Sequence, residues 1–115
     1  REAIRQIVSA ANSARAQARR SNKAVDLIFE LEKKEMSVVA AGALLDKGKV
    51  IRLPESLTVS VTSAAALSPS KDASVIRFYP AGGASGGDIE LVRESGAGTL
   101  IQIGWLLADV RQTGI

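Results

Sequence analysis

The sequence contains no histidine and no cysteine among its 115 residues. Without histidine it lacks the side chain that most often serves as a general base near neutral pH. Without cysteine it has no thiolate nucleophile, no disulfide framework and no soft ligands for zinc, and the cysteine count is silent on redox compartment. Aromatic residues make up 3% of the chain, so the core must be built from Val, Ile, Leu and Ala. Single-stranded nucleic acid would also find few stacking platforms. There is neither a run of about 20 apolar residues nor a signal-peptide apolar region. The chain opens at Arg1 rather than Met and reads as a processed or truncated piece of a longer protein. Its length suits one domain, residues 1–115, that buries roughly 65% of its unfolded surface.

What is present is unevenly distributed. The net charge is +3, yet residues 1–25 carry Arg1, Arg5, Arg15, Arg19, Arg20 and Lys23 against Glu2 alone, a local charge of +5 that leaves −2 for the rest. Ile4, Ile7, Val8, Ala11, Ala14 and Ala18 recur at the spacing of one helix face. Arg5, Ser9, Asn12, Arg19 and Lys23 fall on the other side. The pattern predicts a helix over 1–22 that ends at Asn22, followed by a β body over 24–115.

From Val25 the period changes to two. Val25, Leu27, Phe29 and Leu31 alternate with Asp26, Ile28, Glu30 and Glu32 as a half-buried strand. Met36–Leu45 suits a strand or a short helix, and Asp46-Lys47-Gly48 a turn before the alternating Val50–Leu53. Leu57–Val61, Val75–Tyr79, Ile89–Val92, Thr99–Trp105 and Val110–Thr113 complete the strands, with a small-residue loop over 63–74. Phe78-Tyr-Pro-Ala-Gly-Gly-Ala-Ser-Gly-Gly-Asp-Ile-Glu-Leu91 reads as a β-hairpin. Pro80 closes its first strand, and Gly82, Gly83, Gly86 and Gly87 supply positive-φ positions for the reversal. The expected fold is α+β, one N-terminal helix packed on a mainly antiparallel two-sheet sandwich.

Chemistry-bearing constellations are weak. The Gly-rich stretch 82–87 lacks the lysine and following helix of a phosphate-binding loop. Asp46, Asp72 and Asp88 stand in loops without the spacing of a calcium site. Glu30, Glu32 and Glu90 alternate outward as solvated faces do, and no serine–lysine motif stands out. No enzyme, no metal and no cofactor is expected. The basic helix could attract nucleic acid or anionic lipid. The simpler reading is a helix lying on its own sheet that turns its charged side toward neighbours.

Three stretches together resemble the GspH/FimT family of minor pseudopilins and minor pilins. Ala14-Arg-Ala-Gln-Ala-Arg-Arg-Ser-Asn-Lys-Ala-Val-Asp-Leu-Ile-Phe-Glu30 resembles its helix-to-first-strand junction. Phe78, Pro80, Gly82, Gly86 and Gly87 match its F-x-P-x-G…G-G hairpin motif. Ile101-Gln-Ile-Gly-Trp-Leu106 is similar to its terminal hydrophobic strand. The resemblance implies a pilin-like fold and a preceding hydrophobic helix that anchors the protein in the inner membrane, with the body in the periplasm. It further implies a structural role beside other major and minor pseudopilins near the tip of a type II secretion pseudopilus, possible contact with the secreted substrate, and a helix face (Ile4, Ile7, Val8, Ala11, Ala14, Ala18) that packs subunits. The alternative is a type IV minor pilin that binds DNA for uptake; a small β-sandwich binding module comes third. DNA-binding members carry Gly-Arg-x-Arg where this chain has Ala108-Asp109-Val110-Arg111. An acid in place of an expected cation favours secretion and makes nucleic acid an unexpected partner.

Overall fold

The computed structural model describes residues 2–40, 49–63 and 73–114. It begins with helix α1, Glu2–Ser21. Eight strands follow among the described residues: β1 Val25–Glu30, β2 Glu35–Ala40, β3 Lys49–Arg52, β4 Thr58–Ser63, β5 Ala73–Phe78, β6 Gly87–Val92, β7 Gly98–Ile103 and β8 Val110–Gly114. They form two antiparallel four-stranded sheets, ordered β3-β2-β1-β5 and β4-β6-β7-β8. The expected turn at Asp46-Lys47-Gly48 and residues 64–72 of the small-residue loop lie outside the described residues.

Helix α1 has Glu2 in its first turn and Arg19 and Arg20 in its last, both favourable to the helix dipole. Asn22 ends it at φ +57, a left-handed residue of the kind that closes helices. The helix contacts β1, β5 and β8, so it lies across the first sheet and reaches the edge strand of the second. Ile7, Ala11, Ala14 and Ala18 are fully buried there, joined by Ala3 and Ala10. These five alanines let the helix backbone sit close to the sheet. The same core takes Leu27, Phe29, Ile76 and Phe78 from the first sheet and Ile89, Leu91, Ile101 and Ile103 from the second. A smaller cluster of Ile28, Val39, Ala73 and Val75 is buried on the other face of the first sheet.

Two expectations need correction. The strand from Val25 is not half-buried: Val25, Asp26, Leu27, Ile28 and Phe29 are all buried. The reason is position, since β1 is flanked by β2 and β5 and carries an apolar cluster on each face. It also stops at Glu30, and Leu31 and Glu32 belong to the turn before β2.

The Phe78–Leu91 stretch is likewise not a hairpin of two paired strands. β5 belongs to the first sheet and β6 to the second. A short reversal does form. Tyr79 N–H donates to Gly83 C=O at 2.9 Å, Ser85 N–H donates to Arg77 C=O at 2.8 Å, and Phe78 bridges Ala84. Pairing then ends, and Gly86 (φ +79) turns the chain into the other sheet. At Gly87 a Cβ would stand 2.7 Å from the Thr62 carbonyl oxygen and 3.1 Å from Ile76 Cδ1. The motif glycines therefore serve a crossing between sheets where β4 and β5 meet. Only Gly82 and Gly86 of the four have positive φ; Gly83 and Gly87 are places where a neighbouring backbone comes close.

Candidate functional site

Three features of the surface could carry function, and they divide between the outer side of α1 and one end of the molecule. On the outer side, the helix bounds a shallow groove of about 770 Å³ lined by Ile4, Arg5, Val8, Asn12, Ala16 and Arg20, with Gln112 of β8 on its far wall. Ile4 and Val8 are only partly buried. The expected packing face thus falls into two sets. Ile7, Ala11, Ala14 and Ala18 are buried in the chain's own core, whereas Ile4 and Val8 pack on the margin of that core and also line an open groove. Arg15, Arg19 and Arg20 line a second shallow depression toward the helix C-terminus, and Arg15 Nε has no hydrogen-bond partner among the described residues.

The second feature is an ion pair within the first sheet, between the neighbouring strands β1 and β5 and next to the crossing. Arg77 Nε and Nη2 donate to the two carboxylate oxygens of Asp26 at 2.8 and 3.1 Å, a bidentate pair. Asp26 is buried, and its side chain is 7% exposed against 28% for Arg77. The hydrogen bonds to Asp26 raise the Arg77 guanidinium above its ordinary pKa, against the opposing effect of burial. Arg77 N–H also donates to Ser85 Oγ at 2.9 Å. The pair therefore anchors the start of the 79–86 turn, which carries the motif, to the central strand β1. Its geometry is that of a staple, with both carboxylate oxygens occupied.

The third feature is the turn after β7. Ile101 and Ile103 are buried in β7 as expected, but Trp105 and Leu106 are not strand residues. With Leu107 they form an exposed turn. It packs against the motif turn, because Ala84 N–H donates to the Trp105 carbonyl at 2.9 Å. Beyond it, Arg111 Nε donates to Asp109 at 3.0 Å, so the one cation of the Ala108-Asp109-Val110-Arg111 stretch is paired. Sequence patterning placed Trp105 inside a strand because Leu100, Ile101 and Ile103 continue the apolar run up to Gly104.

Asp46 and Asp72 lie outside the described residues. Asp88 and Glu90 point outward from β6 and are exposed. Among the described residues no three His, Cys, Asp or Glu side chains gather as metal ligands do. No described helix is long and apolar enough to cross a membrane.

The sequence model of the type II transport protein GspH matches residues 3–106. The chain belongs to the GspH family. Its fold agrees with that membership. The minor pseudopilin EpsH from the type 2 secretion system of Vibrio cholerae superposes with a TM-score of 0.71, over 95% of this chain and 91% of that one, at 10% sequence identity. At that identity the likeness speaks for the fold alone. Curated proteins give no sequence match. The GspH match spans the helix, the crossing motif and the Trp105-Leu106 dipeptide, and it ends inside the exposed turn.

Proposed function

We propose that this GspH-family chain is a structural minor pseudopilin of a type II secretion system. On this reading it joins other pseudopilins near the tip of a periplasmic filament that helps move folded proteins across the outer membrane. Helix α1 would continue, N-terminally, the spine that anchors the precursor in the inner membrane. No step of the role requires catalysis by this polypeptide.

The observation that carries the reading over DNA uptake is the Asp109–Arg111 pair. In the position where DNA-binding relatives present Gly-Arg-x-Arg, the stretch Ala108–Arg111 has one arginine, and a carboxylate stands 3.0 Å from it. The carboxylate offsets the local positive charge that would attract a phosphate backbone. The DNA reading retains one support, the cationic patch of Arg15, Arg19 and Arg20 on α1.

The two readings separate on one set of variants. Arg15, Arg19 and Arg20 changed together to Gln should lower secretion of an exoprotein in cells. DNA binding by the unchanged protein should stay in the non-specific range, roughly 10⁻⁴ to 10⁻⁶ M, and vanish with added salt. Sub-micromolar DNA binding at physiological salt, lost on Arg111→Gln, would make the pilin reading the better one.

A further inference from the structure

Trp105, Leu106 and Leu107 are 69%, 65% and 64% exposed. Singly exposed apolar residues are ordinary on a protein surface, but three large ones in succession are not. Nor is the turn that carries them slack. Gly104 N–H donates to the Asp109 carbonyl at 2.9 Å and closes its base. Ala108 is buried with φ +56, a left-handed conformation that alanine adopts only when its surroundings impose it. At Gly83, in the neighbouring turn, a Cβ would stand 2.9 Å from the Trp105 carbonyl oxygen. The backbone that presents the three side chains is thus framed by its neighbours, and a framed backbone lowers the ordering cost of binding.

Strand register shows where they stand. Helix α1 ends at Ser21, Val25 pairs with Phe78, Phe78 bridges Ala84, and Ala84 bonds to Trp105. The turn is therefore at the end of the molecule that holds the helix C-terminus, with Arg19, Arg20 and Lys23. The helix N-terminus lies at the other end, against Pro54, Leu57 and Arg93, and the molecule is 42 Å long.

We propose that Trp105, Leu106 and Leu107 form a knob that docks into an apolar, acid-rimmed pocket of the adjacent pseudopilin subunit on the tip side. The inference rests on the pseudopilin reading above. Charge supports this occupant: the helix end beside the knob is cationic, and the nearby Asp109 is engaged by Arg111. Area supports it too. The knob offers on the order of 400 Å² of apolar surface, short of the roughly 800 Å² per partner of a standard stable complex. A patch of that size suits one contact among several in an assembly, not a free-standing dimer. A lipid surface fits less well, because on the pseudopilin reading the membrane anchor leaves from the opposite end.

Trp105 is the only tryptophan, so fluorotryptophan labelling gives one fluorine resonance at the proposed contact. The labelled 115-residue chain would be titrated with the purified soluble domains of the other pseudopilins of the same organism. Parallel titrations would use phosphatidylglycerol-containing vesicles and a DNA duplex. The proposal expects a saturable shift with one pseudopilin, weakened roughly tenfold by Leu106→Ser at unchanged circular dichroism. It is overturned if no pseudopilin shifts the resonance, if only vesicles or DNA do, or if Leu106→Ser binds as the unchanged chain does. Secretion assays separate this failure from that of the wider reading. Full rescue of a deletion strain by Leu106→Ser/Leu107→Ser would remove the knob and leave the pseudopilin role standing. A deletion strain that secretes normally would remove both.

Discussion

Asp26 and Arg77 show how much a single pair of residues holds in this fold. Arg77 closes both oxygens of a buried carboxylate on the central strand, 51 residues away in sequence. Arg77→Met would leave Asp26 buried without its partner, and an uncompensated buried charge costs about 3–5 kcal/mol. Urea unfolding should show a loss near the lower end of that range, because Arg77 is partly exposed and water can replace some of the interaction. Gly87→Ala tests the crossing point. Its Cβ would meet the Thr62 backbone oxygen and Ile76, so the backbone must move, and the cost should be about 1–3 kcal/mol by the same measurement. The pair was not legible in the sequence. An aspartate that alternates with Val25 and Leu27 reads as solvent-facing, and nothing local marks an arginine in a distant strand as its partner.

At the scale of elements, the helix was legible and the connections were not. Its 3.6-residue stripe, its lack of internal Gly or Pro and its asparagine end are local signals, and they place α1 within a residue or two. Alternation likewise located most strands. Sheet membership is a different kind of information. A strand, a glycine-rich turn and a second strand look alike whether the strands pair or pass into separate sheets, since the choice depends on β1 and β4 as partners. The alanine stripe makes the helix the best place to test packing. Ala11 and Ala14 are fully buried against the sheets, so Ala11→Leu should destabilise by about 1–3 kcal/mol through overpacking. Ala16→Leu, at the open groove, should change stability little in the same urea titration. The reverse order would mean that the helix does not lie on this face.

Over the whole molecule, the chain combines a close-packed body with one cationic helix side and one apolar end. The exposed end was hidden in the sequence because Trp105, Leu106 and Leu107 extend an apolar run that reads as core. Their exposure follows from Gly104, Ala108 and Asp109, which close the turn outside the sheet. Membership of the GspH family and the fold shared with EpsH fit a subunit that works through its surfaces. These 115 residues contain no cysteine, so a single introduced thiol is unique among them. A cysteine introduced at Asn12, on the groove, and treated with a thiol-to-amine cross-linker should couple to a lysine of another pseudopilin only in cells with an assembled secretion system. The most direct test of the central claim is exoprotein export by a strain that lacks this gene, compared with its DNA uptake. A structural pseudopilin predicts that export collapses, returns with the plasmid-borne gene, and leaves DNA uptake unchanged. Normal export with impaired DNA uptake would contradict the account.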